Sequence, residues 1–315
     1  MVTALENNVS AQKTITIVSI TGHQPYAQGS VYAIERSYRE LQKKFPREKL
    51  KCLLVSPQAP QHLANYIEHL PCQPFSYLEY NLFVLYLLDD LIDTDFALIV
   101  QNDGFVVDGN NWQEEFLDYD YIGAPLLHIF EKMPDGSIKE YINEECTPYL
   151  KQPQENVFIG QNGGFSLRSK RLLGLPRQLR IKSAFSIPKP LNKHEKLCLQ
   201  YNSVGHNEDV ILTLLQRSTL EEQGVRFAPL KVASYFASET TLIQREQNIP
   251  FSEVFGCHTF GFLVLTGENQ LYMPKKVTFS DNNIANNELC RWLLQAGFAI
   301  EVPKAFLSST PNTTK

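Results

Sequence analysis

Three features of this sequence predict an α/β fold with a mostly parallel central sheet flanked by helices. Short β-branched or apolar runs fall at residues 14–20, 51–55 and 95–100. Stretches with apolar residues at helical spacing separate them, and each run ends in a loop rich in Gly, Pro, Asn or Asp.

Residues 14–20 (TITIVSI) read as a buried parallel strand that runs into Thr21-Gly22-His23, a candidate nucleotide contact. From Ser30 onward, Val31, Ile34, Tyr38 and Leu41 mark a helix, and residues 51–55 a second strand closed by Ser56-Pro57, so the chain opens β-α-β. Residues 80–91 read as an apolar helix, and residues 95–100 as a strand ending at Gln101-Asn102-Asp103-Gly104. Residues 119–125 suggest a strand and turn, and residues 133–153, polar and proline-bearing, an excursion or flexible loop. The sheet resumes at residues 157–165, and a helix begins near Ser169. Residues 181–202 are irregular; Asn207 is placed to cap a helix through Val210, Leu212, Leu214 and Leu215. Residues 225–236 have strand-like composition. Beyond Gly256-Cys257-His258, strands at 261–266, 276–279 and 297–302 and a helix at 287–295 form a separate C-terminal α/β appendage. The expected divisions are a flexible N-terminus (1–13), a main domain (14–262), the appendage (263–307) and a disordered tail (308–315).

The chain has 315 residues, 43% of them hydrophobic and 11% aromatic, which gives ample material for a core. A net charge of −5 with only short basic pairs, Lys43-Lys44 and Lys275-Lys276, argues against a nucleic-acid partner. The six cysteines (Cys52, Cys72, Cys146, Cys198, Cys257, Cys290) show no Cys-x-x-Cys or zinc spacing and read as reduced core thiols. No signal-like segment and no run of about 20 apolar residues is present, so a cytoplasmic location with no integral membrane segment is expected, and peripheral membrane association stays open. Without a signal, the sequons at Asn8 and Asn312 carry little weight.

The chemistry-bearing residues fall into three groups. Asn162-Gly163-Gly164-Phe165-Ser166-Leu167-Arg168-Ser169 combines adjacent glycines, which let backbone approach a bulky polar ligand, with an exit into a helix. A simple turn would explain the glycines but not the whole block. Arg168, Lys170 and Arg171 offer charge near this floor, where a diphosphate could sit. Asp103 lies where a strand ends, the edge at which open α/β sheets bind ligands, and a carboxylate there could hold a divalent ion or simply make the turn before Gly104. The literal Asp93-Thr94-Asp95 precedes the strand, roughly 20 Å from that edge. Glu208 and Asp209 diverge by about 100° on a helix, so one could orient an acceptor while the other removes its proton; alternatively both merely favour a helix N-terminus. His258 could complete a metal site or touch a diphosphate; His206 reads as structural. Together these groups suit sugar transfer from a nucleotide. No Rossmann fingerprint or P-loop is present.

At these residues the sequence resembles glycosyltransferases of the GT-A type, and among them a glycosyltransferase-like domain family. The blocks are Gln101-Asn102-Asp103-Gly104-Phe105, Asp118-Tyr119-Asp120-Tyr121-Ile122-Gly123-Ala124-Pro125, the glycine block, Glu208-Asp209, Phe236-Ala237-Ser238-Glu239 and Phe255-Gly256-Cys257-His258, in order over residues 14–262. The resemblance implies a nucleotide-sugar donor such as a UDP-sugar and a glycan or other hydroxyl acceptor. By it, Asp209 is the base and Glu208 holds the acceptor in an inverting reaction. Thr21, Gly22, His23, Gln101, Asn102 and Asp103 contact the donor; Asn162, Gly163, Gly164 and Arg168 floor the sugar. Asp103 and His258 hold a divalent metal, Mn2+ or Mg2+. The sequence departs from Asp-x-Asp in carrying Gln101 at the first acid, which leaves metal dependence open. Rival readings are a non-catalytic glycan-binding or scaffold protein on this fold and a sugar-nucleotide pyrophosphorylase; the latter needs a basic, glycine-rich loop that residues 21–29 lack.

Overall fold

A computed structural model describes residues 12–151, 154–182, 207–274 and 284–303. Strand β1 (Ile15–Ile20) passes through Thr21–His23 into helix α1 (Gln24–Leu41). Strands β2 (Leu50–Ser56) and β3 (Ile67–Pro71) precede α2 (Tyr77–Tyr86), α3 (Leu88–Leu91) and β4 (Phe96–Ile99). After the short β5 (Gly104–Val106), β6 (Tyr121–Lys132) and β7 (Ile138–Ile142) form a hairpin. Helix α4 (Thr147–Lys151), β8 (Val157–Ser169) and α5 (Lys170–Gln178) follow. Then come α6 (Glu208–Val210), a π-helical turn at Ile211–Leu215, α7 (Arg217–Glu222), α8 (Leu230–Phe236), β9 (Ala237–Ser238), α9 (Thr241–Glu246) and β10 (Gly256–His258). Strands β11 (Val264–Gly267) and β12 (Gln270–Tyr272), helix α10 (Ile284–Gln295) and β13 (Ala299–Glu301) complete the described chain.

The expected fold class is present: a seven-stranded central sheet, ordered β3-β2-β1-β4-β8-β6-β7, with helices packed against it. β3, β2, β1 and β4 are mutually parallel, and β8 and β7 run against the rest. β1 lies between β2 and β4 and is buried along its whole length, which is why its sequence is continuously apolar or β-branched rather than alternating. Two three-stranded sheets, β5-β10-β9 and β11-β12-β13, stand beside the main one.

Several elements differ from the sequence reading. Helix α1 begins at Gln24, not Ser30, because Pro25 in its first turn supplies a helical φ where no amide donor is needed. Residues 133–151 are not a loop. They hold β7, joined to β6 through a turn with Gly136 at φ +83°, and α4. β7 is an exposed edge strand whose pairing rests on backbone hydrogen bonds, so it carries no apolar pattern to read. Most of residues 225–236 is the helix α8: Pro229 precedes its first residue, and Leu230, Ala233, Ser234 and Phe236 form the buried face. The expected cap from Asn207 is also replaced, since the Glu208 amide donates instead to Asn81 Oδ1 of α2 at 2.8 Å.

The described residues of the C-terminal part, 263–274 and 284–303, contribute to the main core. Leu263, Leu265, Leu271, Trp292, Leu293 and Phe298 belong to the same apolar cluster as Ile15, Val31, Leu98 and Phe165. Buried Arg36 of α1 ties the parts together: it donates to the carbonyls of Val106 and Val107 and to Asn269 Oδ1, and stacks on Phe298 at 4.4 Å. Among the described residues, Cys52, Cys72, Cys146, Cys257 and Cys290 are free thiols. The expected strand at 276–279, Lys275-Lys276, the irregular stretch from residue 183 onward, Cys198, His206, both sequons and the chain ends at 1–11 and 304–315 lie outside the described residues.

Candidate functional site

The parallel strands deliver two loops to one edge of the sheet. Thr21-Gly22-His23 after β1 and Gln101-Asn102-Asp103 after β4 line a cavity of about 510 Å³. Tyr26 and Gly29 of α1, Phe75 and Tyr77 at the start of α2, and Gly261, Val264–Thr266 and Pro274 from the C-terminal part supply further walls. All six expected donor contacts therefore share one hollow. The C-terminal wall has no counterpart among the sequence motifs.

The Asp103 turn is tied from both sides. Gln101 and Gly104 exchange backbone hydrogen bonds at 2.8 and 3.0 Å, closing a two-residue turn, while the Leu265 and Thr259 amides donate to the carbonyls of Asn102 and Asp103. The Gly261 amide donates to Asp103 Oδ2 at 2.7 Å. Asp93-Thr94-Asp95 sits at the opposite end of β4, where Lys51 pairs with Asp93 and Thr14 with Asp95. These acids anchor strand ends and do not reach the cavity lining.

β10 pairs with β5 and brings His258 opposite Gly104. His258 is buried; its Nδ1 lies 3.0 Å from Glu239 Oε2 and its Nε2 3.8 Å from Asp103 Oδ2. Burial alone would lower the imidazole pKa, but the Asp103 and Glu239 carboxylates outweigh it and push it up to about 9. Glu239, in the block Phe236-Ala237-Ser238-Glu239, was given no role by the sequence, and its carboxylate orients the ring.

For a divalent ion, Asp103 Oδ2 and His258 Nε2 present one oxygen and one nitrogen donor close together, and Glu239 on the other ring nitrogen is the usual orienting partner of a metal-bound histidine. The Gln101 carboxamide oxygen approaches the same point as His258 Nε2: a Cβ built on Gly164 would lie 2.5 Å from the first and 2.6 Å from the second. Among the described residues no group of three or more His, Cys, Asp or Glu side chains is placed to hold a metal. The donor set thus fits an ion held by two protein ligands and completed by ligand oxygens.

The glycine block occupies the middle of β8, and neither Gly163 nor Gly164 has positive φ. Their need for hydrogen is steric, and the crowding comes from the protein. A Cβ on Gly163 would strike Glu208 and Arg168; one on Gly164 would strike Gln101 and His258. Asn162 Oδ1 accepts from the amides of Gly164 and Phe165 at 2.6 and 3.2 Å. Asn162, Gly163, Gly164 and Arg168, expected to floor a sugar, are buried and absent from the cavity lining. Replacing Gly164 with alanine is expected to cost about 1–3 kcal/mol, seen in urea unfolding, by driving His258 and Gln101 off their positions.

Arg168 is 0% exposed and grips Glu208, 2% exposed, through two bonds of 2.6 and 2.7 Å. Its Nε donates to Ser166 Oγ at 3.0 Å and its guanidinium stacks over Tyr121 at 4.7 Å. The sequence reading puts Glu208 on the acceptor and Arg168 under the sugar; the structure closes them on each other, because a buried arginine needs a bidentate carboxylate.

Asp209 is different. Its carboxylate is half-buried, accepts from the Gly163 amide at 2.9 Å and the Val210 amide at 2.7 Å, and carries no cationic partner within hydrogen-bond reach among the described residues. Burial first, and the Glu208 charge second, raise its pKa to about 7 against the pull of those amides and of Arg168. The π-helical turn that follows is pinned by Thr213, whose hydroxyl donates to the Asp209 carbonyl and accepts from the Gln161 amide. Asp209 does not itself line the cavity, but its charge reaches residues there. Tyr77, which lines it, feels the charges of Asp209, Glu208 and Asp103, and His258 feels that of Asp209.

An α/β chain with a strand-end carboxylate, an oriented histidine and a near-neutral aspartate at one sheet edge is the class these features define. The pattern of a family described as proteins of unknown function, DUF5672, matches residues 70–258, more than half of the chain, and the chain belongs to that family. Among solved structures, it is similar to the galactosyltransferase LgtC in complex with donor and acceptor sugar analogues, at 13% identity and TM-score 0.40, over 93% of this chain and 99% of that one. An active-site mutant of LgtC gives 12%, 0.39 and the same coverage. Likeness at this level assigns no role to any residue. No curated protein matches the chain. Among the described residues, no helix is long and apolar enough to cross a membrane.

Proposed function

We propose that this protein is a GT-A-like glycosyltransferase that moves a sugar from a nucleotide-diphosphate donor, a UDP-sugar, to a hydroxyl acceptor, with inversion, in the synthesis of a surface glycan or polysaccharide. One observation carries the reading: Asp103 lines a cavity large enough for a nucleotide, His258 Nε2 lies 3.8 Å from its carboxylate, and Asp209 is near enough for its charge to act on His258. In this reading the nucleotide lies along Thr21-Gly22-His23 and Gln101-Asn102-Asp103, with the diphosphate toward Asp103 and His258. A divalent ion held by Asp103 and His258 would screen the leaving phosphate charge. Asp209 takes the acceptor proton as the acceptor oxygen bonds to the sugar's anomeric carbon and the bond from that carbon to phosphate breaks. A carboxylate with a pKa of about 7 is well matched to that task. Glu208 and Arg168 hold Asp209 in place and do not contact the acceptor.

The test is calorimetry with UDP, with and without manganese, followed by hydrolysis of a UDP-sugar panel. Micromolar UDP binding that Asp103→Asn weakens at least tenfold is expected, as is slow hydrolysis of one UDP-sugar. Absence of UDP binding under both conditions overturns the transferase reading.

A further inference from the structure

Phe260 breaks two rules of ordinary packing. It is 80% exposed, the most exposed large hydrophobic side chain among the described residues, and it has φ +51°, a left-handed conformation that bulky side chains rarely adopt. The surrounding turn holds it there: the Thr259 amide donates to the Asp103 carbonyl, the Thr259 hydroxyl bonds to Leu263, and the neighbouring Gly261 amide holds the Asp103 carboxylate. The ring centroid lies 6.4 Å from that of His258, and the next residue, Gly261, lines the cavity, which places Phe260 next to its wall. Tyr77, also lining the cavity, is 65% exposed and adds a second aromatic face at that opening. Beyond its edge contact with His258 no ring contact to Phe260 is found among the described residues, and strain at an exposed bulky residue points to a role with a ligand. A pyranose has the matching chemistry: an apolar face of C–H bonds for an aromatic ring, and hydroxyls on its edge for a carboxylate such as Asp209.

We propose that Phe260 is the contact surface for the apolar face of an acceptor sugar ring. The proposal rests on the transferase reading but is tested separately from it. Saturation-transfer NMR would use lactose and methyl β-D-glucopyranoside as probes on the full chain holding UDP, comparing the native protein with Phe260→Gly and Phe260→Trp. The native protein and Phe260→Trp are expected to saturate the C–H protons of one sugar face. Phe260→Gly is expected to lose at least tenfold in glycoside affinity, keep its UDP affinity, and melt about 2–4 °C higher because glycine accepts φ +51° freely. A purely structural Phe260 would instead lower the melting temperature on removal. Equal glycoside binding by Phe260→Gly, or no saturation of either probe by the native protein, overturns the proposal. Glycoside binding through Phe260 without UDP binding would leave it standing while ending the transferase reading.

Discussion

Replacing Arg168 with alanine is expected to destabilise the protein by about 3–5 kcal/mol, the largest effect of any single substitution in the site. The mechanism is the stranded partner: Glu208 would keep a charge at 2% exposure with both oxygens unpaired. Ser166 and Tyr121 would lose a donor and a stacking cation as well. Urea unfolding measures the loss, and a cost below 1 kcal/mol would refute the role given to the pair. Should Arg168→Ala fail to fold, the double variant Arg168→Met, Glu208→Leu provides the check. Removing both charges together is expected to recover most of the stability, since a buried ion pair replaced by apolar groups of similar volume is often neutral. Glu208→Gln alone is expected to weaken the fold and to displace Asp209, its neighbour in α6.

Asp209→Asn is expected to lower turnover at least a thousandfold while leaving UDP affinity within about twofold, because the proposed general base is lost and the cavity wall proposed for the nucleotide is not touched. The same change is expected to stabilise the protein at alkaline pH. Asp209 titrates at 3.8 when unfolded and about 7 when folded, so the fold favours its protonated form. That contribution is fully present below pH 4, fades as pH rises to about 7, and above that the carboxylate is a net cost. Asparagine removes the charge but keeps a single acceptor oxygen, leaving one of the Gly163 and Val210 amides unpaired, so the gain at pH 8 is expected to be about 1–3 kcal/mol. If Asp209 is the base, as proposed, turnover of the native protein is expected to fall roughly tenfold per unit below pH 7, as Asp209 protonates. A pH-independent rate between 5 and 8, or unchanged turnover in Asp209→Asn, would remove Asp209 from the chemistry.

The parallel half of the sheet was legible because β1, β2 and β4 are buried on both faces along almost their whole length and are largely apolar or β-branched. The position of Asp103 followed from that half alone, since its turn is the end of β4. β7 was illegible for the opposite reason: an edge strand needs only backbone partners, and its side chains face water. The glycines at 163 and 164 were singled out as a place where backbone meets a ligand, but sequence spacing cannot tell a ligand from Glu208, Arg168, Gln101 and His258, the side chains that crowd them. Likewise, nothing local in Glu208-Asp209 says that one carboxylate is spent on an arginine 40 residues away while the other stays free. The family pattern ends at residue 258, just before the turn that carries Phe260 and Gly261.

The bond from Gly261 to Asp103 joins residues 158 positions apart, and order of synthesis gives this distance a meaning in time. At about 5–20 residues per second, Asp103 leaves the ribosome roughly 8–30 s before its amide partner exists. Through that interval the nascent acidic turn has no Gly261 to fix it, and strands β10 and β11 have yet to arrive. The Asp103 turn is therefore completed only after β10 and the Gly261 turn have been made, and the cavity it lines cannot take its final form before then.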